Sequence, residues 1–338
     1  MLCSLSVISG LVGIPFFKYN SLKYDTHDPS EGQQLISTGY ESQSGETFDH
    51  VSSKEQQLIS TGFASQRRDT FASGPGNIEY LGSRKPRRLW YTRVPKCASS
   101  TMLYVTHEAC KINEHCHDRT LHTDPKGGKI DAMKVAKSFL KSPAPTYGPN
   151  AHAFFINFTQ YGLEMPEYFS LIRDPFQHRV SVYYYLIRRE HKKLINISLD
   201  ECLEQKLDIC TNKYFDNSKF NIITYFCGQE EMCRQNTDAS LTKAISNVEC
   251  YYGVVGLAED FASSMELLGH TYPTFFSGAF EIFNSTGPRN MATNKSEPSL
   301  IAKSIIIPQL STDYVFYEFI KQRFYKHLYA MKMYLLSN

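Results

Sequence analysis

Arg88-Leu89-Trp90-Tyr91-Thr92-Arg93-Val94-Pro95-Lys96-Cys97-Ala98-Ser99-Ser100-Thr101 is the stretch on which the reading of this 338-residue chain turns. Arg88 to Val94 has the composition of a strand. A short loop holding one lysine follows, and hydroxyl residues then open a helical segment from about Ser99 to Cys110. A helix N-terminus presents unpaired N–H groups and the positive end of a dipole, so such a turn suits a phosphate. Lys96 adds a point charge, and Ser99, Ser100 and Thr101 add hydroxyl donors. The glycines of a Walker loop are absent, so this is P-loop logic without the P-loop sequence. On spacing alone, the alternative is a surface lysine followed by an ordinary serine N-cap.

A second stretch carries the complementary signal. Tyr168-Phe169-Ser170-Leu171-Ile172 reads as a buried strand that delivers Arg173 to its C-terminal edge, where open α/β sheets bind ligands. Asp174-Pro175 suits a turn and helix start, and Phe176 to Arg189 reads as that helix. Arg173 offers a planar fork for phosphate oxygens. Ser181, roughly two helical turns on, is placed to close over the same group. The alternative is that Arg173 pairs with Asp174 or caps the helix.

Around these stretches the remaining elements alternate. Helices are expected at Asp131–Leu140, Ser240–Ile245, Ala258–Leu268 and Asp313–Met331, and a strand at Ala153–Ile156. The alternation predicts an α/β domain with a central, mainly parallel sheet flanked by helices, beginning near Pro86 and running to residue 338. Residues 18–85 are poor in core-forming side chains and rich in Ser, Gly, Gln, Thr and Glu. They hold a two-copy repeat, Gln33-Gln34-Leu35-Ile36-Ser37-Thr38-Gly39-Tyr40 and Gln56-Gln57-Leu58-Ile59-Ser60-Thr61-Gly62-Phe63, too polar and too short for a solenoid. They read as a low-complexity stem. Residues 1–17 are apolar, with no Lys or Arg before Lys18, and read as a signal peptide, a trimmed signal anchor or an imprecise gene start.

The net charge of +2 gives no sign of a nucleic-acid partner, and 42% hydrophobic residues suffice for a sizeable core. Local basic runs stand at Arg84–Arg88 and Arg188–Lys193, where a solvated surface is the simpler reading. The nine cysteines include no CxxC and no zinc-like spacing, so no metal is expected. Close cysteine spacings and sequons at Asn157, Asn196, Asn284 and Asn294 point to the secretory pathway.

Taken together and in this order, the motifs resemble the 5'-phosphosulfate loop and 3'-phosphate element of sulfotransferases that use 3'-phosphoadenosine 5'-phosphosulfate (PAPS). RVPKCASST, LIRDPFQHRVSVYYYLIRR, LDEC, YFCGQEEMC and FYEFIKQRF resemble, more narrowly, the uronyl and heparan sulfate 2-O-sulfotransferases, over about residues 88–330. The resemblance implies a P-loop-like sulfotransferase fold, PAPS as donor with 3',5'-ADP as product, no metal, and a glycosaminoglycan acceptor sulfated at the 2-hydroxyl of a uronic acid. It implies that Lys96 and the loop residues Ala98, Ser99, Ser100 and Thr101 hold the 5'-phosphosulfate. Arg173 and Ser181 would hold the 3'-phosphate, and Thr293 and Lys295 would belong to a covering loop less basic than the family's.

Position also implies the base. The family carries it on the second histidine of a His-x-His segment, which here reads Asn150-Ala151-His152, so His152 is the base and Asn150 replaces the first histidine. Histidine suits the removal of a sugar hydroxyl proton. Arg93, Asn150, Arg188 and Arg189 are the candidates for acceptor binding, on a basic stretch shorter than the family's. Cys202–Cys210 and Cys227–Cys233 match family disulfides, while Cys97 replaces a threonine and stays reduced. Asn196, Asn284 and Asn294 are the expected glycan sites; Asn157, beside the base, is expected to stay bare. The resemblance further implies a type II membrane protein of the Golgi lumen and a homotrimer. The alternatives weighed are a glycosaminoglycan-binding protein without turnover, and a P-loop phosphotransferase, against which the Walker glycines and the magnesium carboxylate are missing.

Overall fold

The computed structural model describes residues 84–113, 117–118, 130–148, 151–189, 191, 194–210, 220–289 and 296–337. Residues 1–17, the stem up to residue 83, Asn150, Lys192, Lys193, Thr293, Asn294 and Lys295 lie outside them.

Five strands form one sheet: β1 (Arg88–Thr92), β2 (His117–Asp118), β3 (Thr146–Gly148), β4 (Glu167–Ile172) and β5 (Tyr252–Leu257), in the order β2-β3-β1-β4-β5. Every pairing is parallel, and β1 lies beside β4 with Thr92 opposite Ser170. Chain order changes direction at β1: the chain goes first to the β2–β3 side and then crosses to β4 and β5. Ligand crevices of open α/β sheets form at such a switch, outside the carboxyl ends of the strands. The loops after β1 and β4 therefore emerge side by side, about one strand spacing apart.

Parallel strands need crossovers, and helices supply them: α1 (Ser99–Ile112), α2 (Ala132–Leu140), α3 (Pro175–Arg189), α4 (Leu199–Glu204), α5 (Ile222–Cys227) and α6 (Asp238–Tyr251). After β5 come α7 (Phe261–Thr271), α8 (Pro273–Phe276), α9 (Ala279–Thr286), α10 (Leu300–Ile306) and α11 (Ser311–Ser337). Side-chain caps start several of these where the sequence provides them. Asp131 accepts from Lys134 N, Asn221 from Thr224 N, and Ser198 and Thr237 each form a reciprocal capping box.

The core is aromatic. Trp90 is fully buried in β1 and meets Phe139 of α2 and Phe158 edge-on, at centroid distances of 5.0 and 5.3 Å. Such pairs contribute about 0.5–1.5 kcal/mol each beyond the area they bury. Two polar contacts link the buried strands: Ser170 Oγ donates to Thr92 O at 2.7 Å, and the Thr92 hydroxyl lies 2.6 Å from that of Tyr252. A second apolar cluster joins the far face of α3 (Tyr183, Leu186, Ile187) to Leu199, Cys202, Cys210 and Phe220. There the Cys202–Cys210 disulfide closes, with Cα atoms 6.1 Å apart; Cys227–Cys233 closes another loop at 5.4 Å. Both pairings expected from the resemblance are present.

One expectation is corrected, and one strand, β5, joins the sheet where none was expected. Ala153–Ile156 is not a strand. It is a buried coil whose backbone is satisfied outside any ladder: Phe155 N donates to Tyr225 O (2.8 Å), Gln229 Nε2 donates to Phe154 O (2.9 Å), and Tyr168 OH donates to Ile156 O (2.6 Å). Its place in the sheet is taken by β3, a few residues earlier, and by β5. The run Tyr252-Gly253-Val254-Val255-Gly256-Leu257 hides its strand character behind two glycines. At Gly256 a Cβ would stand 2.7 Å from Ser264 Oγ, which is there to bond Leu257 N and O. At Gly253 it would collide with the Tyr272 hydroxyl.

Candidate functional site

At the carboxyl end of β1 the chain enters a compact loop. Lys96 (φ 64°) and Ala98 (φ 54°) both adopt the left-handed conformation without being glycines. This costs about 1–2 kcal/mol per residue and persists only where the surroundings impose it. Ala98 is the N-cap of α1. It offers no side-chain cap, and no acidic residue occupies the first turn. The helix start is thus left without an internal anion, beside a lysine, with Ser99 and Thr101 buried against it and Ser100 half-buried.

Two imidazoles hold this loop. His152 Nδ1 lies 2.8 Å from Arg93 O. A carbonyl only accepts, so Nδ1 carries a proton, and the tautomer this selects for a neutral ring has its basic lone pair on Nε2. His178, on α3, places Nε2 2.9 Å from Pro95 O. It is buried, and burial, with the cations of Arg179, Arg173 and Lys96 adding to it, pushes its pKa from 6.5 down to about 3. Between those values the unfolded chain binds a proton that the folded chain refuses. Stability therefore falls as pH drops from about 6.5 toward 3, by at most about 1.4 kcal/mol per pH unit. In urea unfolding at about pH 6.5 and about pH 5, His178→Gln is expected to lose less stability than the wild type across the interval. Equal losses would mean that the folded protein accepts the proton.

Arg173 follows β4, one strand over. Asp174 is not its partner: Asp174 Oδ1 accepts Gln177 N (2.9 Å) to start α3, and Oδ2 accepts Tyr314 OH (3.3 Å). Arg173 Nε instead faces Glu259 Oε1 at 3.7 Å, and the same oxygen accepts Asp174 N at 2.9 Å. Burial raises the Glu259 pKa above its ordinary value. Ser181 is buried on α3. Lys96 Nζ sits over the Tyr185 ring at 4.9 Å, and the Arg189 guanidinium lies 5.8 Å from the same ring.

The structure thus brings Lys96, Ser99, Ser100, Thr101, Arg173 and Ser181 to one edge of the sheet, with His152 bonded to the same loop. Arg93 is half-buried at the loop's start, near the phenols of Tyr91 and Tyr225, and burial lowers its pKa from the ordinary value. Arg188 and Arg189 are exposed at the end of α3, and Arg188 Nε donates to Tyr184 O (3.0 Å). Thr293 and Lys295 fall outside the described residues, but their flanks lie against the site. Arg289 N donates to Thr101 Oγ1 (3.0 Å), its guanidinium stacks 3.3 Å from the Tyr104 ring, and Ser296 Oγ is 2.8 Å from Tyr184 OH. Cys97 is a free, buried thiol, and burial drives its pKa far above the ordinary range. Asn196 and Asn284 are exposed, while Asn157 is half-buried and bonded to Thr159 N and Oγ1.

His178, Tyr185 and Glu259 are members of this constellation that the motifs did not single out. A signal existed for two of them: His178, Ser181 and Tyr185 recur at helical spacing on one face of α3. Glu259 had none, because it depends on β5.

No family model matches the chain. Curated relatives do. Uronyl 2-sulfotransferase of Homo sapiens is 28% identical over 277 residues, covering 75% of this chain and 66% of its own length. The uronyl 2-sulfotransferase homolog pip of Drosophila melanogaster is 27% identical over 276 residues, 72% of this chain and 53% of its own. Heparan sulfate 2-O-sulfotransferase 1 of Homo sapiens is 26% identical over 271 residues, 74% of each. The chain spans just under two-thirds of the human uronyl enzyme that it matches. A parallel sheet flanked by helices, the cationic loops after β1 and β4 and these similarities agree: the chain has an α/β fold and is similar to the uronyl 2-sulfotransferases and heparan sulfate 2-O-sulfotransferases.

Proposed function

We propose that this protein transfers a sulfuryl group from PAPS to the 2-hydroxyl of a uronic acid in heparan or dermatan/chondroitin chains. The observation that carries the reading is the pairing of two cationic loops on adjacent strands, Lys96 after β1 and Arg173 after β4, with His152 bonded to the first of them. The uncapped start of α1 and Lys96 suit a phosphosulfate; Arg173 and Ser181 suit a second phosphate. The Arg173–Glu259 pair is a single, partly exposed contact at 3.7 Å. Such pairs are worth about 0–1 kcal/mol, so a dianionic phosphate competes for the guanidinium on favourable terms.

Bound there, PAPS supplies the sulfuryl group and a phosphate leaving oxygen. Lys96 places positive charge where that oxygen gains negative charge. His152 takes the proton of the sugar hydroxyl on Nε2, while Nδ1–H, held by Arg93 O, fixes the tautomer. Arg93, Arg188 and Arg189, with Asn150, are assigned to the carboxylates and hydroxyls of the acceptor. Thr293 and Lys295 are assigned to the donor's cover, since the chain on either side of them is tied to α1 and α3.

The Cys202–Cys210 and Cys227–Cys233 disulfides fit an oxidising compartment, and with them we place the domain in the Golgi lumen, glycosylated at Asn196, Asn284 and Asn294 and assembled as a homotrimer. Among the described residues no helix is long and apolar enough to cross a membrane; an anchor is assigned to residues 1–17, joined through the stem 18–85 to the catalytic domain 86–338. Thermal unfolding with 3',5'-ADP tests the donor site. Ligand at about 100 times its Kd adds about 2.7 kcal/mol to the folded state, so the midpoint should rise by several degrees. No shift at millimolar ligand would remove the donor assignment.

A further inference from the structure

We propose that His178 is a positioning residue for Lys96: bonded to the Pro95 carbonyl from within α3, it holds the Arg93–Ala98 loop in the conformation that aims the lysine at the anion site. This rests on the function proposed above. The loop needs such a clamp. Two of its residues are held in the left-handed region, and Pro95 contributes no N–H with which the loop could bond itself. Pro95 is the residue directly before Lys96, so a fixed Pro95 carbonyl fixes the peptide plane on which the Lys96 backbone turns.

The clamp is itself anchored. Asp174 O accepts His178 N at 2.8 Å, and Asp174 Oδ1 accepts Gln177 N, so the first turn of α3 is pinned where the imidazole leaves it. A buried histidine with an ordinary packing role would be better served by an apolar side chain, because its ring nitrogens pay for desolvation. Here Nε2 is spent on the Pro95 carbonyl. One helix face then controls both ends of the lysine: His178 holds its backbone, and Tyr185, two turns on, lies beneath its ammonium.

The test is titration of the full-length chain with 3',5'-ADP, together with steady-state transfer. The amide of His178→Gln carries N–H groups near the position of Nε2. His178→Met fills similar space with no donor, and the amide of His178→Asn is too short to reach. The methionine variant is expected to bind 3',5'-ADP about tenfold more weakly, the scale of one hydrogen bond. Its KM for PAPS should rise to match, with the acceptor KM unchanged, and the glutamine variant should stay within about threefold of wild type. If the methionine variant does not fold, the same split is expected between asparagine and glutamine. Wild-type binding by a donor-less variant, or equal loss in the donor-less and glutamine variants, would overturn the proposal. A wild type that binds no 3',5'-ADP would instead overturn the donor site itself.

Discussion

His152→Ala should lower sulfuryl transfer by about 10²–10⁴-fold, the range that a positioned general base contributes, while leaving 3',5'-ADP binding within about threefold of wild type. The side chain has two jobs to separate. Nδ1 holds the Arg93 carbonyl at 2.8 Å, and Nε2 is assigned to the acceptor hydroxyl. His152→Asn separates them, because its amide nitrogen falls near the Nδ1 position and can still donate to Arg93 O, yet it supplies no base. The asparagine variant is expected to be as slow as the alanine variant. If it retains most of the wild-type rate, the imidazole serves only to hold the loop, and the base lies elsewhere.

Lys96→Met should lower transfer by about 10²–10³-fold, as removal of one charge-stabilising donor does at other transferring centres. Methionine keeps the length and apolar stem of lysine, and the φ of 64° strains both residues alike, so the comparison isolates the ammonium. The loss should fall chiefly on kcat, because negative charge builds on the leaving oxygen only as the bond to sulfur breaks. The start of α1 and Arg173 remain to hold the ground-state ligand, so 3',5'-ADP should bind far less weakly than the rate falls. A variant with unchanged kcat and a raised KM for PAPS would make Lys96 a binding contact rather than a stabiliser of the leaving group.

Much of this arrangement was legible from two short stretches. Trp90 and its neighbours declared β1, Phe169 to Ile172 declared β4, and in a parallel sheet that pair alone brings Lys96 and Arg173 to one edge. Helix starts near Asp131 and Ser99 could be read from apolar spacing and position; only the first proves to be capped by a side chain. What escaped depended on contacts between segments distant in sequence. Gly253 and Gly256 look like strand breakers until Tyr272 and Ser264 are seen pressing against them. Ala153–Ile156 looks like a strand until its carbonyls and N–H groups are traced to Tyr225, Gln229 and Tyr168. The roles of Glu259 and His178 follow from the same long-range geometry, one from β5 lying beside β4, the other from α3 folding back over the β1 loop. Residue type at a single position carries no record of either.

The most direct measurement is transfer of labelled sulfate from PAPS to desulfated heparan and dermatan chains by the full-length protein, followed by disaccharide analysis. Label should appear on the 2-hydroxyl of uronic acid residues and should nearly vanish with His152→Asn and Lys96→Met. Chains that are bound but never labelled, or label carried only on amino sugars, would contradict the assignment.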